Sequence, residues 1–139
     1  MDFKLELVAV PVSDVDRAKE FYLKAGFIAD HDHTVSDEVR FVQITPPGSA
    51  CSISIGMGIT DAAPGSVRGT HLVVTDIEAV RAAFLERGVE VSEIRHLESG
   101  AWTPGVEPDH QDYGSFADLH DPDGNTWVLQ ERGYATPGA

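Results

Sequence analysis

The stretch VPVSDVDRAKEFYLKAGF, residues 10–27, is written a second time as LVVTDIEAVRAAFLERGV, residues 72–89. The two copies align without a gap. Val12 falls on Val74, Ser13 on Thr75, Asp14 on Asp76, Tyr22 on Phe84, Leu23 on Leu85 and Gly26 on Gly88. Such a repeat decides the fold before any single motif does, because each copy must be one structural unit.

Each copy follows the same local logic. A β-rich run opens it, LELVAVPV in the first and THLVV in the second. A helix start follows. Ser13 with Asp16 predicts a capping box with the shorter acid, and Thr75 with Glu78 a full one. Val15, Ala18, Tyr22 and Ala25 fall on one helical face, as do Ile77, Val80 and Phe84. Gly26 and Gly88 end the helices, since glycine accepts the left-handed backbone needed there. Three strand-like runs come next: FIADHD, VRFVQI and CSISIGM in one copy, VEVSEIRH, SFADLH and TWVLQER in the other. TPPGSA and DPDG are the matching turns. The order predicts an α+β fold of two βαβββ modules, residues 1–58 and 69–132. A linker at 59–68 joins them into a single domain spanning 1–139, and residues 133–139 form a tail that frays.

The chain has 139 residues, which suits one compact domain. Its 10 basic and 23 acidic residues give a net charge of −13. That charge repels phosphate backbones and anionic lipid, so neither nucleic acid nor membrane is an expected partner. No apolar run reaches the roughly 20 residues of a membrane span. The opening MDFKLELVAV lacks the basic end and long apolar stretch of a signal peptide. Cys51 is the one cysteine, so an internal disulfide and a cysteine-based zinc cluster are both excluded. Together these predict a cytoplasmic protein.

The paired modules, VSDVDRAKEFYLKAGF and DPDGNTWVLQE resemble the vicinal oxygen chelate superfamily, the glyoxalase/bleomycin resistance protein/dioxygenase proteins. The resemblance covers nearly the whole chain. It implies that the two sheets close into a cup and that a homodimer forms. In the metal-dependent members it implies ligands on the first and last strands of each module, usually His or Gln and Glu. Here those positions hold Leu7, Gly69, Val128 and either Ser52 or Ser54. A serine hydroxyl is a poor ligand for zinc, nickel or iron, and the others supply none. The expectation is a chain with no family-type metal site and no cofactor. The alternative is zinc, nickel, manganese or iron on relocated ligands drawn from His71, His120, Asp118 and Glu131. Glu131, an odd number of residues from Val128, is expected to point away from the cup.

Alternation along strands places His71 and Val73 beside position 69, and Thr126 and Gln130 beside Val128. Leu7 brings Ala9 with it. Phe116, Asp118 and His120 share a face in the next strand. The predicted pocket has an apolar floor of Leu7, Ala9, Val73, Phe116 and Val128, with polar tips at Ser52, Ser54, His71, Asp118 and Gln130. His71 reads as a general base or ligand anchor, or as a strand histidine satisfied by a neighbour. Asp118 reads as a partner of His71, as an acceptor for ligand, or as a solvated strand residue. His120 abuts the turn and either reaches the pocket or bonds to Asp121 or the turn backbone. His31 and His33 form an H-x-H pair on what reads as a solvated strand edge, and His96 and His110 lie near loops. The irregular stretch GAWTPGVEPDHQDYG, residues 100–114, has the length of a lid or binding loop. Its Trp102 and Tyr113 are suited to stacking on a flat ligand.

Three functions follow. The first is metal-independent binding of a small apolar or aromatic molecule, either to sequester it or to act on it by acid–base chemistry through His71. The second is a metal-dependent lyase, isomerase or dioxygenase with relocated ligands. The third is a subunit or regulatory module whose cup its own side chains fill.

Overall fold

A computed structural model describes residues 1–135. Of the expected tail, residues 136–139 lie outside the described residues. The element order is β1 (Leu7–Pro11), α1 (Val15–Ala25), β2 (Ile28–Thr34), β3 (Arg40–Thr45), β4 (Ser52–Met57), β5 (Thr70–Val74), α2 (Ile77–Glu86), β6 (Arg95–Glu98), β7 (Ala101–Pro104), β8 (Ser115–His120) and β9 (Thr126–Glu131). The result is the expected mixed α+β, glyoxalase-type architecture. Among the described residues, no helix is long and apolar enough to cross a membrane.

The chain divides into two compact units, Met1–Val67 with Asp121–Asn125, and Arg68–His120 with Thr126 onward. In the first, the sheet order is β1-β4-β3-β2, with β1 parallel to β4 and the other pairs antiparallel. Helix α1 lays Val15, Ala18, Tyr22 and Ala25 against Val42, Ile44, Ile53 and Ile55, all buried. In the second the order is β5-β9-β8-β6-β7, with β5 parallel to β9. Ile77 and Phe84 of α2 are buried with Ala117, Leu119, Trp127 and Leu129. Val80, expected on that face, is only half-buried.

Several details differ from the sequence reading. The sheets are not closed, because every ladder among the described residues runs within its own sheet. The N-caps are Asp14 and Asp76, one residue later than Ser13 and Thr75. Each carboxylate accepts from the backbone N–H three residues on, at 3.1 and 3.0 Å. The run VEVSEIRH is strand only from Arg95, and β7 lies inside what reads as a loop. The missed signal is Ser99-Gly100, both at positive φ (51° and 80°), a two-residue hairpin turn linking β6 to β7.

The DPDGN turn is packed by its polar groups into the first unit. Asp121 and Asn125 are fully buried. Asp121 Oδ2 accepts from the Tyr22 hydroxyl at 2.9 Å and from Asn125 Nδ2 at 2.8 Å. Its Oδ1 accepts the backbone N–H groups of Asp123 and Asn125. Asn125 also donates to the Pro11 carbonyl at 3.0 Å and accepts from Val67 N. The turn motif thus docks onto β1 and α1 as well as reversing the chain.

On the exposed strand β2, Asp32 accepts from Arg40 and Lys19. The Arg40 guanidinium, then the Lys19 ammonium, hold its carboxyl well below the usual carboxylate range. A depressed pKa adds stability above the unfolded value, and that stability is lost as pH falls. Asp32→Asn is therefore expected to destabilise at neutral pH by about 1 kcal/mol or less, screened as this partly exposed cluster is. The difference from wild type in urea unfolding should vanish well below pH ~4.

Candidate functional site

The predicted site residues fall on one face of each sheet. In the first unit, Leu7 pairs with Ser52 and Ala9 with Ser54, on the face opposite Ile53 and Ile55. Ser52 and Ser54 are buried, and the Ser52 hydroxyl lies 2.6 Å from Thr45 Oγ1. Leu7 is half exposed.

In the second unit the remaining positions line up in cross-strand rows. One row runs Val73, Gln130, Phe116, Arg95, Pro104 through β5, β9, β8, β6 and β7. A second runs His71, Val128, Asp118, and a third places Thr126 beside His120. The opposite face carries the buried Ala117, Leu119, Trp127, Leu129 and Glu131. The alternation expected from the sequence therefore holds for this whole set, because a strand's side-chain period is two.

The polar groups of this face have defined roles. His71 is exposed, and its Nδ1 lies 2.7 Å from the Gly69 carbonyl. A carbonyl only accepts, so Nδ1 carries a proton, and in the neutral ring Nε2 presents a lone pair. Asp118 pairs with Arg95, at 2.5 Å and 3.3 Å to the two terminal guanidinium nitrogens, and not with His71. Gln130 Nε2 donates to the Tyr113 carbonyl at 3.1 Å.

Arg95 is the residue of this face that the sequence reading missed. Its guanidinium carbon lies 4.8 Å from the Trp102 ring centroid and 5.8 Å from that of Phe116. The two rings meet edge to face at 5.4 Å. This is cation–π and T-shaped packing, which orients a ring without burying it. Trp102 remains 54% exposed, so ring surface is left for a ligand. A cleft of about 420 Å³ runs along Arg95, Trp102, Pro104, Asp118 and Ser92. A second, of about 490 Å³, reaches Val91, Ser92, Asp118, His120 and Thr126.

Residues 105–114 are tied down. Tyr113 N donates to the Glu131 carbonyl at 2.7 Å, Gly133 N to Asp112 Oδ1 at 2.8 Å, and His110 Nδ1 lies 2.8 Å from Glu131 Oε1. Trp102 belongs instead to the β6–β7 hairpin. Glu131 does point away from the open face. Fully buried, it accepts the first helical N–H of α2, from Ile77, at 3.0 Å. His96 is buried with Nδ1 on the Gly105 carbonyl, and His31 and His33 stand exposed on β2, His33 near Phe41.

The family's metal-ligand positions do not fit a transition metal: Leu7, Gly69 and Val128 offer no donor, and the hydroxyl of Ser52 is already engaged with Thr45. Among the described residues, no group of three or more His, Cys, Asp or Glu side chains is placed to hold a metal ion.

The family model for the Glyoxalase/Bleomycin resistance protein/Dioxygenase superfamily matches residues 4–129. The chain is 27% identical to YetH of Bacillus subtilis (strain 168) over 89% of its own length and 94% of that protein's. Its fold is similar to that of TnmS3, an antibiotic binding protein from Streptomyces sp. CB03234, with a TM-score of 0.73, 32% identity and coverage of 94% and 97% of the two chains. A glyoxalase/bleomycin resistance protein from the same organism gives a TM-score of 0.70 and 32% identity over 92% and 100%. A superfamily member from Sphaerobacter thermophilus DSM 20745 gives 0.71 and 26% over 94% and 98%.

Proposed function

Because the chain belongs to the Glyoxalase/Bleomycin resistance protein/Dioxygenase superfamily, whose scaffold alone does not fix a reaction, we propose that it binds a small aromatic molecule on the open face of its second sheet and sequesters it, without a metal at the family's ligand positions. The observation that carries this reading is the Arg95–Trp102–Phe116 cluster beside an apolar strip of Val73 and Val128. Apolar floors with a few fixed polar groups are what small-molecule sites are made of. The likeness to an antibiotic binding protein supports the same class of function.

A second reading has its own observation. The contact to Gly69 fixes the tautomer of His71 and leaves Nε2 as a proton acceptor on the face, as a general base requires. In that case His71→Ala abolishes turnover while ligand affinity stays within a few fold; in the sequestering case there is no turnover to lose.

The test is a thermal-shift screen of aromatic compounds together with elemental analysis of the desalted protein. A ligand at about 100 times its Kd stabilises the folded state by ~2.7 kcal/mol and raises Tm. Stoichiometric zinc, nickel, manganese or iron, with no aromatic compound raising Tm, sinks the proposal and restores the metal-dependent lyase, isomerase or dioxygenase.

A further inference from the structure

Three polar groups on the open face of the second sheet share one property. His71 Nε2 has no hydrogen-bond partner among the described residues and holds a lone pair, because Nδ1 is committed to the Gly69 carbonyl. Gln130 must turn its NH2 to the Tyr113 carbonyl, so its Oε1 is the atom left over. Asp118 is a carboxylate, with 48% of its side chain exposed. Thr126 Oγ1 accepts from Gly69 N, so its hydroxyl hydrogen stays a donor. Arg95 gives two of its five N–H groups to Asp118. Around Val128 the face thus presents three acceptors, His71 Nε2, Gln130 Oε1 and the Asp118 carboxylate, in a chain of net charge −13.

We propose that this face selects planar aromatic ligands that carry hydrogen-bond donors, phenolic hydroxyl or amino groups, and discriminates against aromatic carboxylates. This deepens the reading of the face as a binding surface and rests on it. Adjacent strands lie about 4.8 Å apart, so His71 and Asp118, on either side of Val128, stand about 10 Å apart at the backbone. That separation suits donors at opposite edges of a two- or three-ring system laid over Val128. A carboxylate there meets a lone pair at His71 and like charge at Asp118, and the net charge of the chain opposes its approach. Arg95 acts as a positioning residue: it holds Asp118 in place and fills one side of Trp102.

The experiment compares dihydroxynaphthalene, its dimethyl ether and naphthoate, titrated into the full chain by quenching of indole fluorescence. Trp127 is buried and Trp102 exposed, and quenching that is lost in Trp102→Phe reports Trp102. The expected result is an affinity for the diol about tenfold above that for the ether and the carboxylate, the effect of one or two net hydrogen bonds. His71→Ala and Asp118→Asn, each shown folded by its thermal melt, should shrink that preference; should either variant melt out, the wild-type comparison decides alone. Equal affinity for diol and ether overturns donor selection and leaves the binding surface standing. Tightest binding of naphthoate also overturns it, in favour of anion capture by Arg95. No quenching by any of the three removes the binding surface itself, and this proposal with it.

Discussion

Asp121→Ala is expected to lower the unfolding free energy by about 4 kcal/mol, since each buried donor left without its acceptor costs ~1–3 kcal/mol. Four donors converge on this carboxylate: the Tyr22 hydroxyl, Asn125 Nδ2, and the backbone N–H groups of Asp123 and Asn125. The site is fully buried, so water does not replace the lost oxygens. A loss of that size is a large share of the ~5–15 kcal/mol that holds a domain folded. Tyr22→Phe removes one donor and keeps the ring, so it should cost only about 1 kcal/mol. Urea unfolding followed by far-UV circular dichroism measures both. Equal losses in the two variants would show that the carboxylate does not organise the network.

Trp102→Ala is expected to weaken binding of dihydroxynaphthalene by at least about tenfold, the cost of truncating an aromatic anchor. The ring has Arg95 at 4.8 Å and the Phe116 edge at 5.4 Å, and both fix its plane before a ligand arrives. Little affinity is then lost to ordering the side chain. Because Trp102 is more than half exposed, its removal should leave the melting temperature nearly unchanged. Calorimetric titration of the variant reads the affinity directly. Leu97→Ala, at the position paired with Trp102 across the hairpin, is the control for a general loss of apolar surface. Unchanged affinity in Trp102→Ala would move the ligand away from the hairpin.

The repeat made the architecture legible. Periodicity of 3.6 marked the buried faces of α1 and α2, and periodicity of two marked the open face from His71 to Gln130. Both are local properties that a single sequence carries. Four features lay outside those two periodicities. Arg95 sits beside Asp118 and Phe116 only through the β6–β8 register, which strand patterns do not encode. Trp102 reads as a loop residue until Ser99-Gly100 is recognised as a hairpin turn. Ser13 is drawn off to Asp123, a partner on the far side of the sequence, and Asp14 caps α1 in its place. The same holds for His110, whose tie to the buried Glu131 no spacing announces.

The residues that complete the first unit, Asp121 to Asn125, are encoded after most of the second. The chain therefore passes between the two units at three points, at 67/68, 120/121 and 125/126. The copies are alike in sequence yet not autonomous. A fragment ending at residue 67 leaves the Tyr22 hydroxyl and the Pro11 carbonyl without the partners that Asp121 and Asn125 provide. Co-expressed halves split in the linker must reassemble around that borrowed turn to restore these hydrogen bonds.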